Sequence, residues 1–308
     1  MTQATATMSA PDAKRFDGTT FGLYAATVFL WGVSWIGIHA QLGVVAPEMS
    51  VLWRFLLATI LMWAWVLATG HRVRFGLADH LRFAAVGCCL FSFNFISFYY
   101  GGLSVPSGLL SVVFSLASVF NLVLSFVIFR QKVEPRVALG GVIGVMGIGL
   151  LFWPEIAGAG FNADALRGLG LCVMGTLFFC SGNMISTVVQ RRGVPLLSAT
   201  AWGMTYGCGV LLALNVLRGN AFIIEPTATY IGSLLYLSIG ASVLAFMAYL
   251  TLLRRLGAAR AGYSTVLFPI IALAVSTLLE GYQWTALAGI GVVFALIGNV
   301  LVLRRPAR

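Results

Sequence analysis

The side chains that could move a proton, attack a carbon or hold a metal are few in this chain and stand apart. Its acids are Asp12, Asp17, Glu48, Asp79, Glu134, Glu155, Asp164, Glu225 and Glu280. Its histidines are His39, His71 and His80, and its cysteines are Cys88, Cys89, Cys172, Cys180 and Cys208. Acid–base, nucleophilic or metal chemistry needs such groups gathered at a fixed spacing. No C-x-x-C pair and no Walker A phosphate loop occurs. The acids and histidines fall at or beyond the ends of apolar runs, and the cysteines read as small buried hydrophobes. What remains is recognition chemistry. Amides, hydroxyls and aromatic rings interleave as Trp31, Ser34 and Trp35, as Asn94, Ser97, Tyr99 and Tyr100, as Phe179 and Asn183, and as Ser242 and Tyr249. An amide in hydrocarbon must find a partner, so Asn94 and Asn183 should face protein or water. Ring faces with a few amides and hydroxyls would suit an amphipathic solute, cationic or aromatic. The rings near span ends, Tyr99 and Tyr100, read equally as an interfacial belt.

The elements that must position these groups are membrane helices. The chain has 308 residues, 60% hydrophobic and 9% charged, with mean hydropathy +0.96. Soluble domains run near ~25% charged, so this composition excludes an ordinary soluble fold, a disordered chain and a nucleic-acid-binding domain. A bilayer core takes about 20 apolar residues per helix. Ten such runs are legible: 21–40, 49–68, 83–101, 105–129, 136–153, 168–189, 196–217, 229–251, 261–280 and 285–303. The polar tail before Phe21 is followed by a run too long for a signal peptide and by no small-x-small cleavage site, so the first run should be retained.

The net charge is +10, and its placement sets an orientation. On one side would lie Lys14 and Arg15, Arg72, Arg74 and Arg82, Arg130, Lys132 and Arg136, Arg191 and Arg192, Arg254, Arg255 and Arg260, and Arg304, Arg305 and Arg308. The other side would hold only Arg167 and Arg218, with Arg54 inside span two. Cations concentrate on cytoplasmic loops, so both termini are expected in the cytoplasm of a multi-pass plasma (inner) membrane protein.

An internal repeat adds to this. Pro47-Glu48-Met49-Ser50 resembles Pro195-Leu196-Leu197-Ser198, offset by 148. Phe129-Arg130-Gln131 then Gly140 resembles Leu278-Leu279-Glu280 then Gly289, offset by 149, the spacing that also separates Tyr100 from Tyr249. Each half would hold five spans. Five is odd, so the second half would enter the membrane upside down, a transporter signature. The expected architecture is all-α integral membrane: a polar N-tail (1–20), a first five-helix repeat (21–157), a second (158–303) and a short C-tail (304–308).

Span four carries a serine stripe, Ser104, Ser107, Ser111, Ser115 and Ser118, within an arc of ~100°. It would pack against span nine or wall a cavity, with Ser107 a candidate for binding. Spans five and ten are glycine-rich, at Gly140, Gly144 and Gly147 and at Gly289, Gly291 and Gly298, which suits close helix packing. Arg54 and Glu280 should lie near the same membrane face, where they could pair as an outer gate.

These residues together resemble a known family. Trp31-Gly32-Val33-Ser34-Trp35, Pro47 with Arg54-Phe55 and Ala58, and the run Leu256-Gly257-Ala258-Ala259-Arg260-Ala261 through Pro269 and Glu280 to Gly289 and Gly298 are similar to the ten-helix, EamA-type branch of the drug/metabolite transporter superfamily. The similarity spans nearly the whole chain beyond the N-tail. Gln131 stands where that family often has Glu, and Leu116 near where it often has Pro. The resemblance implies export of small metabolites, most often amino acids or related solutes, aromatic amino acids among them. Alternating access between two inverted halves would drive it, with a small-molecule substrate and the lipid bilayer as partners, no nucleic acid, no cofactor, and a monomer or weak homodimer. A membrane-embedded lipid-modifying enzyme is the alternative.

Overall fold

The computed structural model describes residues 17–130, 135–157, 162–256 and 264–303. Among them every regular element is helical: α1 (Gly18–His39), α2 (Pro47–Ala68), α3 (Leu77–Gly101), α4 (Ser107–Ile128), α5 (Pro135–Ala157), α6 (Ala163–Arg191), α7 (Leu196–Leu217), α8 (Ala228–Tyr249), α9 (Ser264–Leu279) and α10 (Ala286–Leu303). Ten apolar helices lie where ten spans are expected, eight of them of spanning length within the described residues. Helices α1 to α8 are long and apolar enough to cross a membrane, whereas the apolar stretches Leu267–Leu279 and Ala286–Val302 are shorter. Residues expected to begin span nine, and the sequence features at Lys14, Arg15, Gln131, Lys132, Gly257–Ala261 and Arg304–Arg308, lie outside the described residues.

Three helix starts carry a local signal. Asp17 accepts a hydrogen bond from Thr20 N at 2.8 Å, Asn162 accepts from Asp164 N and Ala165 N, and Pro47 opens α2 with its fixed φ. Gly281, at φ +68°, ends α9 in the left-handed conformation that costs glycine least. Large apolar side chains such as Phe29, Ile60, Val127, Met146 and Leu278 point outward. An apolar surface this continuous calls for lipid rather than water.

Helix pairing follows a swap. Helix α1 packs on α8 and α9, and α6 packs on α3 and α4. Helix α2 packs on α8, and α7 on α3; α2 also meets α7, α4 meets α9, and α5 runs along α10. Exchanging each helix of the first five with its counterpart in the second five maps these pairs onto one another, whereas the contacts of α1 with α4 and of α5 with α6 have no such match among the described residues.

Glycines allow the closest of these approaches. A Cβ added at Gly147 would stand 2.5 Å from Ala295 N and 2.6 Å from Gly291 O, so α5 and α10 touch backbone to backbone. One added at Gly149 would meet nothing within 4 Å. Gly147→Ala should therefore destabilise the purified protein by about 1–3 kcal/mol through overpacking. Gly149→Ala should leave it unchanged or better, because alanine favours a helix by up to about 1 kcal/mol. Thermal unfolding in detergent checks the contrast, and equal melting of the two variants would contradict it.

Two π-helical stretches interrupt the ladder, Cys89–Phe93 within α3 and Tyr236–Leu244 within α8. They sit at equivalent places, since Cys89 and Phe93 displaced by 148 fall on Leu237 and Ala241. A π register loosens carbonyls from their usual partners. Side chains take them up: Ser92 Oγ donates to Gly87 O at 2.8 Å, and Trp31 Nε1 donates to Ala241 O at 2.9 Å.

Candidate functional site

A cavity of about 410 Å³ lies between the two sets of helices, walled by α1–α4 and α6–α9. Its aromatic side is built by contact between helices. Trp31 meets Tyr249 at 5.2 Å and Phe268 at 5.3 Å between ring centroids, and Trp35 meets Phe98 at 5.1 Å and Phe114 at 5.4 Å. Phe114 in turn lies 4.7 Å from Phe179. Such tilted and edge-on pairs hold the rings rigid and leave faces for a solute. Polar groups punctuate the wall. Ser34 Oγ donates to its own helix at Trp31 O. Asn94 Nδ2 donates to Leu90 O at 3.3 Å, while Asn94 Oδ1 and Asn121 Oδ1 are buried without a partner. At one end the lining residues Ile38 and Arg54 are buried. At the other the lining reaches exposed Gln190 and half-buried Leu196, at the turn between α6 and α7.

Arg54 is 4% exposed. Its Nε donates to Ser242 Oγ of α8 at 3.2 Å, and its guanidinium lies 4.4 Å above the centre of the Phe95 ring and 5.3 Å from that of Phe55. Ring quadrupoles favour a cation in that position.

Beyond the buried end, two polar clusters tie the halves together. Glu280, just past α9, accepts hydrogen bonds from Ser107 Oγ at 2.6 Å and from Ser107 N at 3.1 Å, and it lies 3.0 Å from His39 Nδ1. Helix α4 starts after Pro106, which offers no side-chain cap, so a carboxylate from α9 satisfies its first amide and faces its positive end. Glu48, near the start of α2 and 1% exposed, accepts from Arg218 Nη1 and from Tyr100 Oη, the latter at 2.9 Å. Arg218 Nη1 also donates to Tyr100 Oη at 2.9 Å.

Of the residues singled out from sequence, Trp31, Ser34, Trp35, Arg54, Asn94, Phe179, Asn183, Ser242 and Tyr249 line this cavity together. Ser97, Tyr99 and Ser107 do not. Ser97 bonds back to Phe93 O, Tyr99 Oη donates to Gln41 Oε1 at 2.6 Å, and Ser107 holds Glu280. The expected Arg54–Glu280 pair does not form: Arg54 faces the cavity with Ser242, and Glu280 sits with Ser107 and His39. The serine stripe of α4 divides its work, since Ser107 ties the halves together while Ser118 lines the cavity and donates to Asn299 Oδ1. Sequence reasoning missed Phe95, Phe98, Phe114 and Phe268 of the wall, and the Glu48–Arg218–Tyr100 and His39–Glu280 contacts.

The model of the EamA-like transporter family matches residues 20–153 and 166–304, one stretch in each half. This chain belongs to the EamA-like transporter family. Relatives align along nearly their full length. The inner membrane transporter YedA of Escherichia coli K12 is 27% identical over 295 residues, covering 93% of each chain. A transporter of Archaeoglobus fulgidus is 25% identical, covering 91% of this chain and 97% of its own. A protein of Escherichia coli K12 named as a probable amino-acid metabolite efflux pump is 24% identical, covering 90% of this chain and 93% of its own. A crystal structure superposes with a TM-score of 0.66 over 92% of this chain and 96% of that one, at 15% identity, and so shares its fold.

Proposed function

We propose that this chain is a secondary transporter that exports small metabolites, namely amino acids and related amphipathic solutes including aromatic ones. It works by alternating access between two inverted five-helix halves of a multi-pass inner membrane protein. The observation that carries this reading is the pairing of one cavity with one closed end. The cavity reaches exposed Gln190 on the α6–α7 side, and on the opposite side two carboxylates bridge the halves: Glu280 of the second binds Ser107 and His39 of the first, and Glu48 of the first binds Arg218 of the second. The arginine-rich loops, Arg191 and Arg192 among them, lie on the reached side, so this conformation faces the cytoplasm under the rule that cations stay inside. The swap symmetry of most helix pairs and the matched π stretches support the repeat. Five helices per half make the halves antiparallel, the arrangement that lets one rock against the other. The efflux named for an Escherichia coli relative supports the direction. No feature of the site favours lipid chemistry.

Counterflow in proteoliposomes tests it. Vesicles loaded with an unlabelled amino acid should accumulate the labelled one well above empty vesicles, most strongly for aromatic side chains. Reporter fusions after residue 308 and within 158–161 should report opposite sides of the membrane. Absent exchange across a panel of amino acids, nucleobases and organic cations, or reporters on one side, would remove the reading.

A further inference from the structure

We infer that the cavity takes an organic acid and that Arg54 holds its carboxylate; the inference rests on the transport reading only for the cavity's role. Among the described residues, Arg54 is the one permanently charged side chain lining the cavity, and no Asp or Glu lines it. The other buried charges near this end have strong partners: Glu48 has Arg218 and Tyr100, and Glu280 has Ser107 and His39. Arg54 has only neutral company, the Ser242 hydroxyl, the Tyr99 phenol and two ring faces, and its Nη1 has no hydrogen-bond partner. Taking a guanidinium out of water costs more than ring faces and neutral hydroxyls return, so the site is incomplete without an anion. The planar fork of Arg matches a carboxylate with two parallel hydrogen bonds. With Ser242 and the Phe95 ring fixing the guanidinium at the closed end, the acid group of the solute would dock deep and its apolar body would lie along Trp31, Trp35 and Phe114. Sequence alone left a cationic solute open; a buried cation in the wall excludes it by like-charge repulsion.

Three probes with one body and different heads test this: 3-phenylpropanoate, 3-phenylpropanamide and 3-phenylpropylamine. Each is titrated calorimetrically into the full-length protein in nanodiscs. The acid should bind about 10–100-fold more tightly than the amide, the gain of a two-bonded ion pair over a single bond from the guanidinium to a neutral carbonyl, and the amine should bind least. Arg54→Gln should abolish the acid's advantage and bring it down to the level of the amide; Arg54→Lys should fall between. Equal binding of acid and amide, tighter binding of the amine, a preference that survives in Arg54→Gln, or no binding by any probe would overturn the assignment. If Arg54→Gln also loses the amide, the wild-type ranking decides alone. Counterflow separates this from the transport reading. Exchange of the amide as fast as the acid sinks the role of Arg54 and spares transport, whereas acid-selective binding without exchange does the reverse.

Discussion

Glu280→Ala should release the closed end and cut exchange at least tenfold. The carboxylate caps α4 from another helix, accepts the Ser107 hydroxyl and faces His39, so its loss strips three contacts at once. A lost N-cap alone costs about 0.5–2 kcal/mol, and a hydrogen bond to a charged group about 1.5–3. Even 2 kcal/mol shifts an equilibrium between two conformations by roughly 30-fold. The end that now holds Ile38 at 3% exposure should then open. A cysteine placed at Ile38 would read this with a membrane-impermeant maleimide added on the side of Arg218. The variant Ile38→Cys should label slowly by itself and rapidly when combined with Glu280→Ala, with the chain lacking Ile38→Cys as the reference for native cysteines. Unchanged labelling and unchanged exchange would show that the cluster latches nothing.

Filling the cavity should have a still larger effect on transport with a smaller one on stability. Ala117 lines the cavity from α4, next to Ser118 and one turn from Phe114. In Ala117→Trp an indole would occupy the space that a solute needs, and exchange should drop to that of empty vesicles. Folding should lose no more than the about 1–3 kcal/mol typical of an overpacked site, because free volume is already there to receive the ring. Val123→Trp, on an outward-facing part of the same helix and 49% exposed, should exchange like the parent. Full activity in Ala117→Trp would mean that the solute path lies elsewhere.

The apolar runs made the helices legible to within a few residues, and α7 begins and ends where the hydropathy does. Where they disagree, polar residues are the reason. The run expected from residue 83 starts at Leu77, because Asp79 pairs with Arg82 at 3.0 Å and with Arg192 at 3.4 Å and so keeps a charged turn helical. The run expected from 168 starts at Ala163 behind the Asn162 cap, a signal that capping preference could have found. Depth in the membrane could be read, but rotation about the helix axis could not. That is why Arg54 and Glu280, level with each other by sequence, read as a pair, whereas packing turns Arg54 toward Ser242. Phe95, Phe98 and Phe114 carry no contrast in a chain this apolar, so only the fold reveals them as a wall. The π stretches leave no imprint on a hydrophobic pattern, since they shift its phase by a fraction of a turn. The pairing of Glu48 with Arg218 joins positions 170 residues apart, and nothing local in either segment announces the other.

A fixed positive charge in the wall has an energetic corollary for the direction of flow. A solute that matches Arg54 leaves as a monoanion whenever it carries no ammonium of its own. Cells hold their interior electrically negative, and moving one elementary charge through that potential is worth about 2.3 kcal/mol per 100 mV. Voltage alone would then expel such an acid against a concentration ratio of roughly fifty to one, with no ATP and no accompanying ion, while a zwitterion would follow only its own gradient.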